Sequence, residues 1–390
     1  MEKKRHVKTL DDFYGLIDES KKTKRNIIKE YPDVSQKNII LLKSYLESLL
    51  GIMKVQGKQV LYTKEGKSTR IDISYEISEL KKDIAFLEQG EKYFETYLQR
   101  MHKDLKKESQ NLSRKLKKDF SCLATDRDGT INNYCARYIS SVQSVYNAVF
   151  ITAFIKKRVK HPIAITSAPL KGIVDMSIFP KDAIIYAGSK GREFLDGKKR
   201  ITMKISPKKK AVLNRFTKEL TNLLSKKENQ KFMLIGSGLQ EKFGQVTIAR
   251  QDITGSIPKD ESNTFLKKVE EIVKMTDPER TNLMIEDTGL DIEIILTSDE
   301  EERSFDKGDG INFIAKQLNI DLKTGKNLVC GDTSSDTAIA EKLLEKNKNT
   351  TIVFVTKDIK LKNKIKKLSK DALFVTNPDT LVYSLYKASG

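Results

Sequence analysis

The chain has 390 residues and a formal net charge of +19, with 32% of its residues charged; that is length enough for two or three domains with a sizeable core, and the charge points to an anionic partner. The lysines are interleaved with 53 acidic residues, aromatic content is 7% and there is no Trp, so the stacking platform of a single-strand binder is missing and nucleic acid is argued against. Cys122, Cys135 and Cys330 lack C-x-x-C spacing, and His6, His102 and His161 stand apart, which argues against a disulfide framework, a zinc site and a histidine-based metal cluster.

The amino terminus, Met1-Glu2-Lys3-Lys4-Arg5, leads into no apolar signal region, and no apolar run approaches the span of a bilayer. The expectation is a cytoplasmic protein with no membrane partner. Residues 1–118 read as an N-terminal helical bundle or coiled-coil domain. Asp11 or Asp12 begins a first helix carrying Phe13, Leu16 and Ile17; a Pro32-Asp33 turn follows, and Ser35 caps a second helix with Ile39, Leu42, Leu46 and Leu49 or Leu50. Residues 57–67 are a Gly/Lys-rich excursion. Beyond it Ile73, Ile77, Leu80, Ile84, Leu87, Phe94, Leu98, Met101 and Leu105 alternate steps of three and four, a seam broken once at Glu91 beside Gly90. Such a seam serves self-packing, a homo-oligomer or a protein partner, and nothing in it looks like a site.

After the charged junction at 115–118 the pattern becomes α/β. Phe120-Ser121-Cys122-Leu123-Ala124-Thr125 reads as a buried strand, residues 141–159 as a helix, and Ile163-Ala164-Ile165 as a second strand, which makes a βαβ unit and hence a parallel sheet. Further strands are expected at 183–187, 327–330, 351–355 and 372–375. Residues 207–299 interrupt this core, which comprises 119–206 and 300–390. The insert reads as a helix at 207–228, strands at 232–236 and 245–250, a helix at 262–275, and strands at 282–286 and 291–296, an αββαββ order.

The chemistry-bearing residues sit past strand ends. Asp126 and Asp128 are two apart on extended backbone and so point into one small volume, with Gly129 supplying the tight turn. Two like charges that close are costly unless a cation or proton is shared between them. Downstream come the hydroxyls Thr166 and Ser167, then Lys307, then Gly331-Asp332 with Asp336. Ligands of open parallel sheets sit outside the carboxyl ends of the strands, where these groups can meet. Other phosphate and nucleophile motifs fail. Phe313 stands where a dinucleotide fingerprint needs its third glycine, Gly325-Lys326 lacks the rest of a P-loop, and Gly236-Ser237-Gly238 has the wrong spacing for a nucleophile elbow.

D-x-D-x-T at Asp126, a strand-end hydroxyl, Lys307 and G-D-x-x-x-D at Asp332 to Asp336 occur in the order of the haloacid dehalogenase superfamily of phosphohydrolases, which the chain resembles from about residue 118 onward. The resemblance implies a Rossmann-like parallel-sheet core with a C2-type α/β cap, and a nucleophilic Asp126 that forms an aspartyl phosphate. It implies Asp128 as acid and base, Ser167 (or Thr166) and Lys307 on the phosphoryl oxygens, and Mg²⁺ held by Asp126, Asp128 through its carbonyl, Asp332 and Asp336. The cap resembles that of the sugar-phosphatase branch. Tyr186-Ala187-Gly188-Ser189-Lys190-Gly191-Arg192-Glu193, Thr166-Ser167-Ala168-Pro169-Leu170 and Ala249-Arg250-Gln251-Asp252 look like the nematode-type group of trehalose-6-phosphate phosphatases, which also carries an amino-terminal helical domain. That likeness implies trehalose 6-phosphate as substrate, with Lys190, Arg192, Glu193, Gln240, Lys242, Arg250 and Glu293 on the sugar. The interval from Glu293 to Lys307, with its acidic run Asp299-Glu300-Glu301-Glu302, is longer than usual there. Another sugar or polyol phosphate is the alternative substrate. A phosphosugar-binding scaffold is the alternative class, and it would not need the second carboxylate of the pair.

Overall fold

The structure, a computed structural model, describes residues 6–62, 66, 68–135, 137–252, 255–297 and 305–390; the acidic run at 299–302 and the expected boundary after residue 299 lie outside them. Helix α1 (Leu10–Glu30) opens on a capping box in which Thr9 and Asp12 each accept the other's backbone N–H, satisfying two donors that the helix leaves orphaned. Helix α2 (Gln36–Leu50) starts after Ser35. The expected excursion at 57–67 takes in β2 (Lys58–Tyr62), the middle strand of an antiparallel sheet whose β1 (Lys54–Val55) and β3 (Ser68–Ile71) flank it. The sheet's first turn has positive φ at both Gln56 (49°) and Gly57 (82°), the two-residue geometry whose twist suits a hairpin. Gln where Asn or Asp is usual hides that signal.

Helix α3 (Ser74–Met101) is interrupted at Gly90, where φ is 71°, and α4 (Leu105–Leu116) follows. The break falls beside Glu91, where the apolar seam lapses. Ile73, Leu80, Ile84, Phe94, Leu98 and Leu105 are buried within the chain, and Met101 is exposed. The expected seam is thus used internally: its Phe94 lies 4.8 Å from Tyr146, and Phe86 beside the seam lies 5.5 Å from Phe150, both partners belonging to the core helix at Val145–Arg158.

The core opens with β4 (Phe120–Thr125), α5 (Val145–Arg158), β5 (Val159–Ile165), α6 (Leu170–Met176) and β6 (Ile185–Gly188). An antiparallel hairpin of β7 (Glu193–Asp196) and β8 (Lys199–Thr202) then extends the sheet edge. Its two-residue loop is Gly197-Lys198, with positive φ at Gly197 (58°), the first loop position that a type II′ hairpin reserves for glycine. The insert comprises α7 (Pro207–Ser225), β9 (Leu239–Lys242), β10 (Gln245–Ala249), α8 (Lys259–Thr276), β11 (Leu283–Asp287) and β12 (Asp291–Leu296). The expected strand at 232–236 is absent. A short 3-10 turn, Gln230–Met233, occupies the place and stacks Phe232 on Phe265 at 3.8 Å, and positive φ at Gly236 and Gly238 delays the strand to Leu239. The chain returns through α9 (Lys307–Gln317), β13 (Asn327–Gly331), α10 (Thr337–Lys346), β14 (Thr350–Val355), α11 (Ile359–Leu368), β15 (Leu373–Val375) and α12 (Pro378–Ser389).

The eight-stranded core sheet has the order β15-β14-β13-β4-β5-β6-β7-β8, parallel from β15 to β6, and the four-stranded insert sheet has the order β11-β12-β10-β9. The central strands β4, β13 and β14 are buried along almost their whole length because both faces are covered, and alternate residues divide between them. Leu123, Leu328, Cys330 and Val353 join the cluster with α5, α12 and the N-terminal helices, whereas Cys122, Ala124, Val329, Ile352 and Phe354 join the cluster under α9 and α10. The first cluster runs from Phe13 to Tyr383, because the N-terminal helices pack on α5 and α12, the helices that cover this face of the sheet. No helix among the described residues is long and apolar enough to cross a membrane.

Candidate active site

Strands β4 and β13 are neighbours, and their carboxyl ends bring the acidic motifs together. Asp126 follows β4 with its N–H on the carbonyl of Cys330 at 3.0 Å, and Asp332 follows β13. Carboxylate oxygens of Asp126, Asp332 and Asp336 lie within 4.8 Å of one another. Close approach of the two loops requires glycine: Gly129 has φ of 85°, and a Cβ there would run into the Asp332 carboxylate. Thr130 Oγ donates to Asp332 at 3.1 Å. Asp336 accepts the backbone N–H groups of Asp332 and Thr333, so one side chain both caps the turn and faces the cluster.

Lys307 is the first residue of α9, behind an Asp306–Asp309 capping box. Its Nζ sits 2.5 Å from Asp126 Oδ1 and 2.7 Å from Asp336 Oδ1, with the side chain 5% exposed. One cation does not balance three carboxylates. Burial, opposed by Lys307 but reinforced by the repulsion of Asp336, pushes Asp126 up to about 7; burial with the charges of Asp126 and Asp336 pushes Asp332 up to about 8. Asp336 resists its own burial because Lys307 and the backbone N–H groups hold it below the usual carboxylate range. A buried, under-neutralised set of hard oxygen ligands fits a divalent cation.

Asp128 departs from the cluster. It is about a fifth exposed and is hydrogen-bonded by Arg127 Nη1. Arg127 is buried and also donates to the Ser141 and Met176 carbonyls, fixing this loop to the core. Asn132 and Asn133 tie the following residues to α3, through Tyr75 Oη at 3.0 Å and Glu79 Oε1 at 3.2 Å, and Asn133 also reaches Asp379 on α12 at 2.8 Å. The spacing of Tyr75 and Glu79 puts them on one helical face. Neither α3 residue carries a signal in the sequence, since each is an ordinary polar residue on an amphipathic helix.

Asp128, Thr166, Ser167, Gln240, Lys242 and Glu293 line one cavity of about 490 Å³ between the core and the inserted domain. Thr166 Oγ accepts the N–H of Ala168, and the Thr166 and Ser167 residues both line the cavity. Lys190, in a left-handed conformation, reaches across to Glu293 at 3.3 Å, and Lys242 lies 3.9 Å from the same carboxylate. Burial lowers Lys242 to about 8, while Glu293, despite its burial, is held below the usual range by Lys242 and Lys190. Ser237, Asp291 and Tyr134 also line the cavity and were missed by the sequence reading.

Four residues expected on the sugar stand outside that lining, Lys190 among them. Glu193 accepts from Leu170 N–H at 3.2 Å, from Ser189 Oγ at 2.7 Å and from Arg200, which fastens the edge hairpin to the loop above β5. Arg250, just past β10, pairs with Asp287 at 3.4 Å. Arg192 is buried against the ring of Phe305 at 4.7 Å, and burial lowers its pKa to about 10.

The family model described as trehalose-6-phosphate phosphatase, C-terminal, matches residues 123–381, and that described as the trehalose-6-phosphate phosphatase N-terminal helical bundle domain matches residues 9–105. The chain is 29% identical over 415 residues to alpha,alpha-trehalose-phosphate synthase [UDP-forming] 2 of Caenorhabditis elegans, which covers 98% of this chain and 34% of that protein. It is 26% identical over 419 residues to a trehalose-phosphatase of Brugia malayi, covering 96% of this chain and 85% of that one. Thus the chain spans about a third of the length of the curated synthase relatives, 31% to 36%, and most of the length of the Brugia protein. Among solved structures, the C-terminal domain of the C. albicans trehalose-6-phosphate phosphatase covers 72% of this chain and 97% of its own, at 12% identity and a TM-score of 0.49. On the two family matches, which together take in the helical layer, the core and the insert, this chain belongs to the trehalose-6-phosphate phosphatase family.

Proposed function

We propose that the protein is a Mg²⁺-dependent phosphatase that hydrolyses trehalose 6-phosphate to trehalose and phosphate. The observation that carries the chemistry is the convergence of Asp126, Lys307, Asp332 and Asp336, from the ends of adjacent parallel strands and the start of α9, beside a cavity that holds Asp128 and Ser167. In this reading Asp126 attacks phosphorus in line, and the ester oxygen leaves as Asp128 delivers it a proton. Asp128 then takes a proton from the water that cleaves the aspartyl phosphate. Lys307 favours the ionised form of Asp126 against its burial and, with Ser167, holds the phosphoryl oxygens. Asp126, Asp332, Asp336 and the carbonyl of Asp128 would hold the Mg²⁺, which supplies charge neutralisation for the phosphoryl group.

Support for a sugar leaving group comes from Gln240, Lys242 and Glu293 on the insert sheet, which share the cavity with Asp128. Polar groups converging on a pocket of this size suit a hydroxyl-rich ligand. A cytoplasmic location fits three free, buried cysteines. The test is phosphate release with and without Mg²⁺ across trehalose 6-phosphate, glucose 6-phosphate and sucrose 6-phosphate, with Asp126→Asn as the blank. Mg²⁺-dependent preference for the first ester is expected, with turnover by Asp126→Asn reduced at least a thousandfold. Preference for another ester would refute the substrate, and an active Asp126→Asn would refute the nucleophile.

A further inference from the structure

The cavity has a third wall, supplied by the N-terminal region. Besides core and insert residues, Lys58 at the start of β2, Thr69, Arg70 and Ile71 on β3, and the adjoining Asp72 line it. This wall is anchored to the catalytic side of the core. Arg137 Nη2 donates to the Asp72 carbonyl at 2.7 Å and pairs with Glu76 at 2.9 Å, while Asp72 Oδ1 accepts the N–H of Ser74 at the start of α3. Ile73, next in the chain, is buried in the main apolar cluster. The wall therefore keeps a fixed distance from the loop of Arg137 to Ser141, whose Ser141 hydroxyl meets Arg127 at 3.2 Å behind Asp128.

The polar groups on this wall differ in what they are already doing. Arg70 is tied to Gln56 at 2.7 Å. Lys58 is half-buried, at the cavity, and makes no ion pair among the described residues, though its charge helps to lower the pKa of Asp72; Thr69, across from Leu61 further along the sheet, is also half-buried. An ammonium with three donors and a hydroxyl that both donates and accepts match sugar hydroxyls, and a cavity of about 490 Å³ has room for more than one pyranose ring. With phosphorus at Asp126 and the insert residues Gln240, Lys242 and Glu293 on another side, this wall is left for the part of the substrate remote from the phosphate.

We propose that the N-terminal β1–β3 sheet is a specificity wall of the site, on which Lys58 and Thr69 hydrogen-bond the sugar ring that does not carry the phosphate, so that the cavity favours a disaccharide phosphate over a hexose phosphate. This rests on the phosphatase reading above. It makes the helical region's hairpin part of the substrate site, and it separates the two substrates by contacts that only the longer one reaches.

The test compares the full chain with Lys58→Ala and Lys58→Ala/Thr69→Ala on trehalose 6-phosphate, glucose 6-phosphate and p-nitrophenyl phosphate in Mg²⁺. Both positions lie outside the catalytic cluster on a half-exposed hairpin. For the double variant kcat/KM on trehalose 6-phosphate should fall about tenfold, carried by KM, with both smaller esters unchanged within about twofold. An equal loss on all three esters, or no loss on any, overturns the wall. A wild-type protein that hydrolyses p-nitrophenyl phosphate but neither sugar ester overturns the substrate reading and the wall together, while one inactive on all three overturns the phosphatase reading itself.

Discussion

Replacing Lys307 with Met would keep the buried stem and remove the charge that sits 2.5 Å from Asp126 and 2.7 Å from Asp336. Removing one partner of a buried pair leaves an uncompensated charge and costs about 3–5 kcal/mol, and here two carboxylates lose the same partner. The pH dependence has a definite sign. In the native protein Asp336 is held below its ordinary value, so its contribution is present above a pH of about 3.9 and lost as pH falls through its lowered folded value. Without Lys307, burial would raise Asp336 instead. The stability gap between Lys307→Met and the native chain should therefore widen from pH 4.5 to pH 7.5. Urea unfolding in EDTA at the two pH values measures it, and a second Asp126→Asn or Asp336→Asn substitution should recover part of the loss. A gap below about 1 kcal/mol at both pH values would refute the claim that Lys307 neutralises a buried acidic cluster.

Gly129→Ala should cost about 1–2 kcal/mol for its left-handed backbone alone, and its methyl group would displace the Asp332 carboxylate. Weaker Mg²⁺ binding, seen as a right-shifted Mg²⁺ titration of activity, is expected; an unshifted titration would show that the loops do not need this approach. The raised pKa values of Asp126, about 7, and Asp332, about 8, mean that the metal-free protein loses their contribution as pH climbs from about 4 through 8, the folded state having bound more protons than the unfolded one. Mg²⁺ should accordingly raise the Tm more at pH 8 than at pH 6, where protons compete for the same oxygens. Equal shifts by thermal scanning with and without EDTA would contradict that linkage.

The sequence by itself determined the covalent order of the site and the faces of the elements that carry it. The continuous apolar run from Phe120 to Thr125 reads as a strand buried on both faces, and a two-residue spacing puts Asp126 and Asp128 just beyond its end. Gly90 beside Glu91 likewise announced the interruption of α3, since a lapse in apolar spacing and a residue tolerant of positive φ coincide there. Local patterns of this kind depend on neighbours a few positions away, which the sequence contains.

Only the tertiary structure decided which polar groups those elements meet. Glu193 and Arg250 carry the same chemistry as Glu293 and Lys242, yet the first pair fastens a hairpin and a strand end while the second faces the cavity. Arg127, Tyr75 and Glu79 brace the Asp128 loop across contacts from chain segments far apart in sequence. The N-terminal seam, periodic enough to suggest a second chain, instead covers Tyr146 and Phe150 of the core and brings β2 and β3 to the cavity. A side chain's spacing fixes the face it occupies; what that face is buried against depends on how distant segments pack, and burial free energy is non-directional until packing selects one partner.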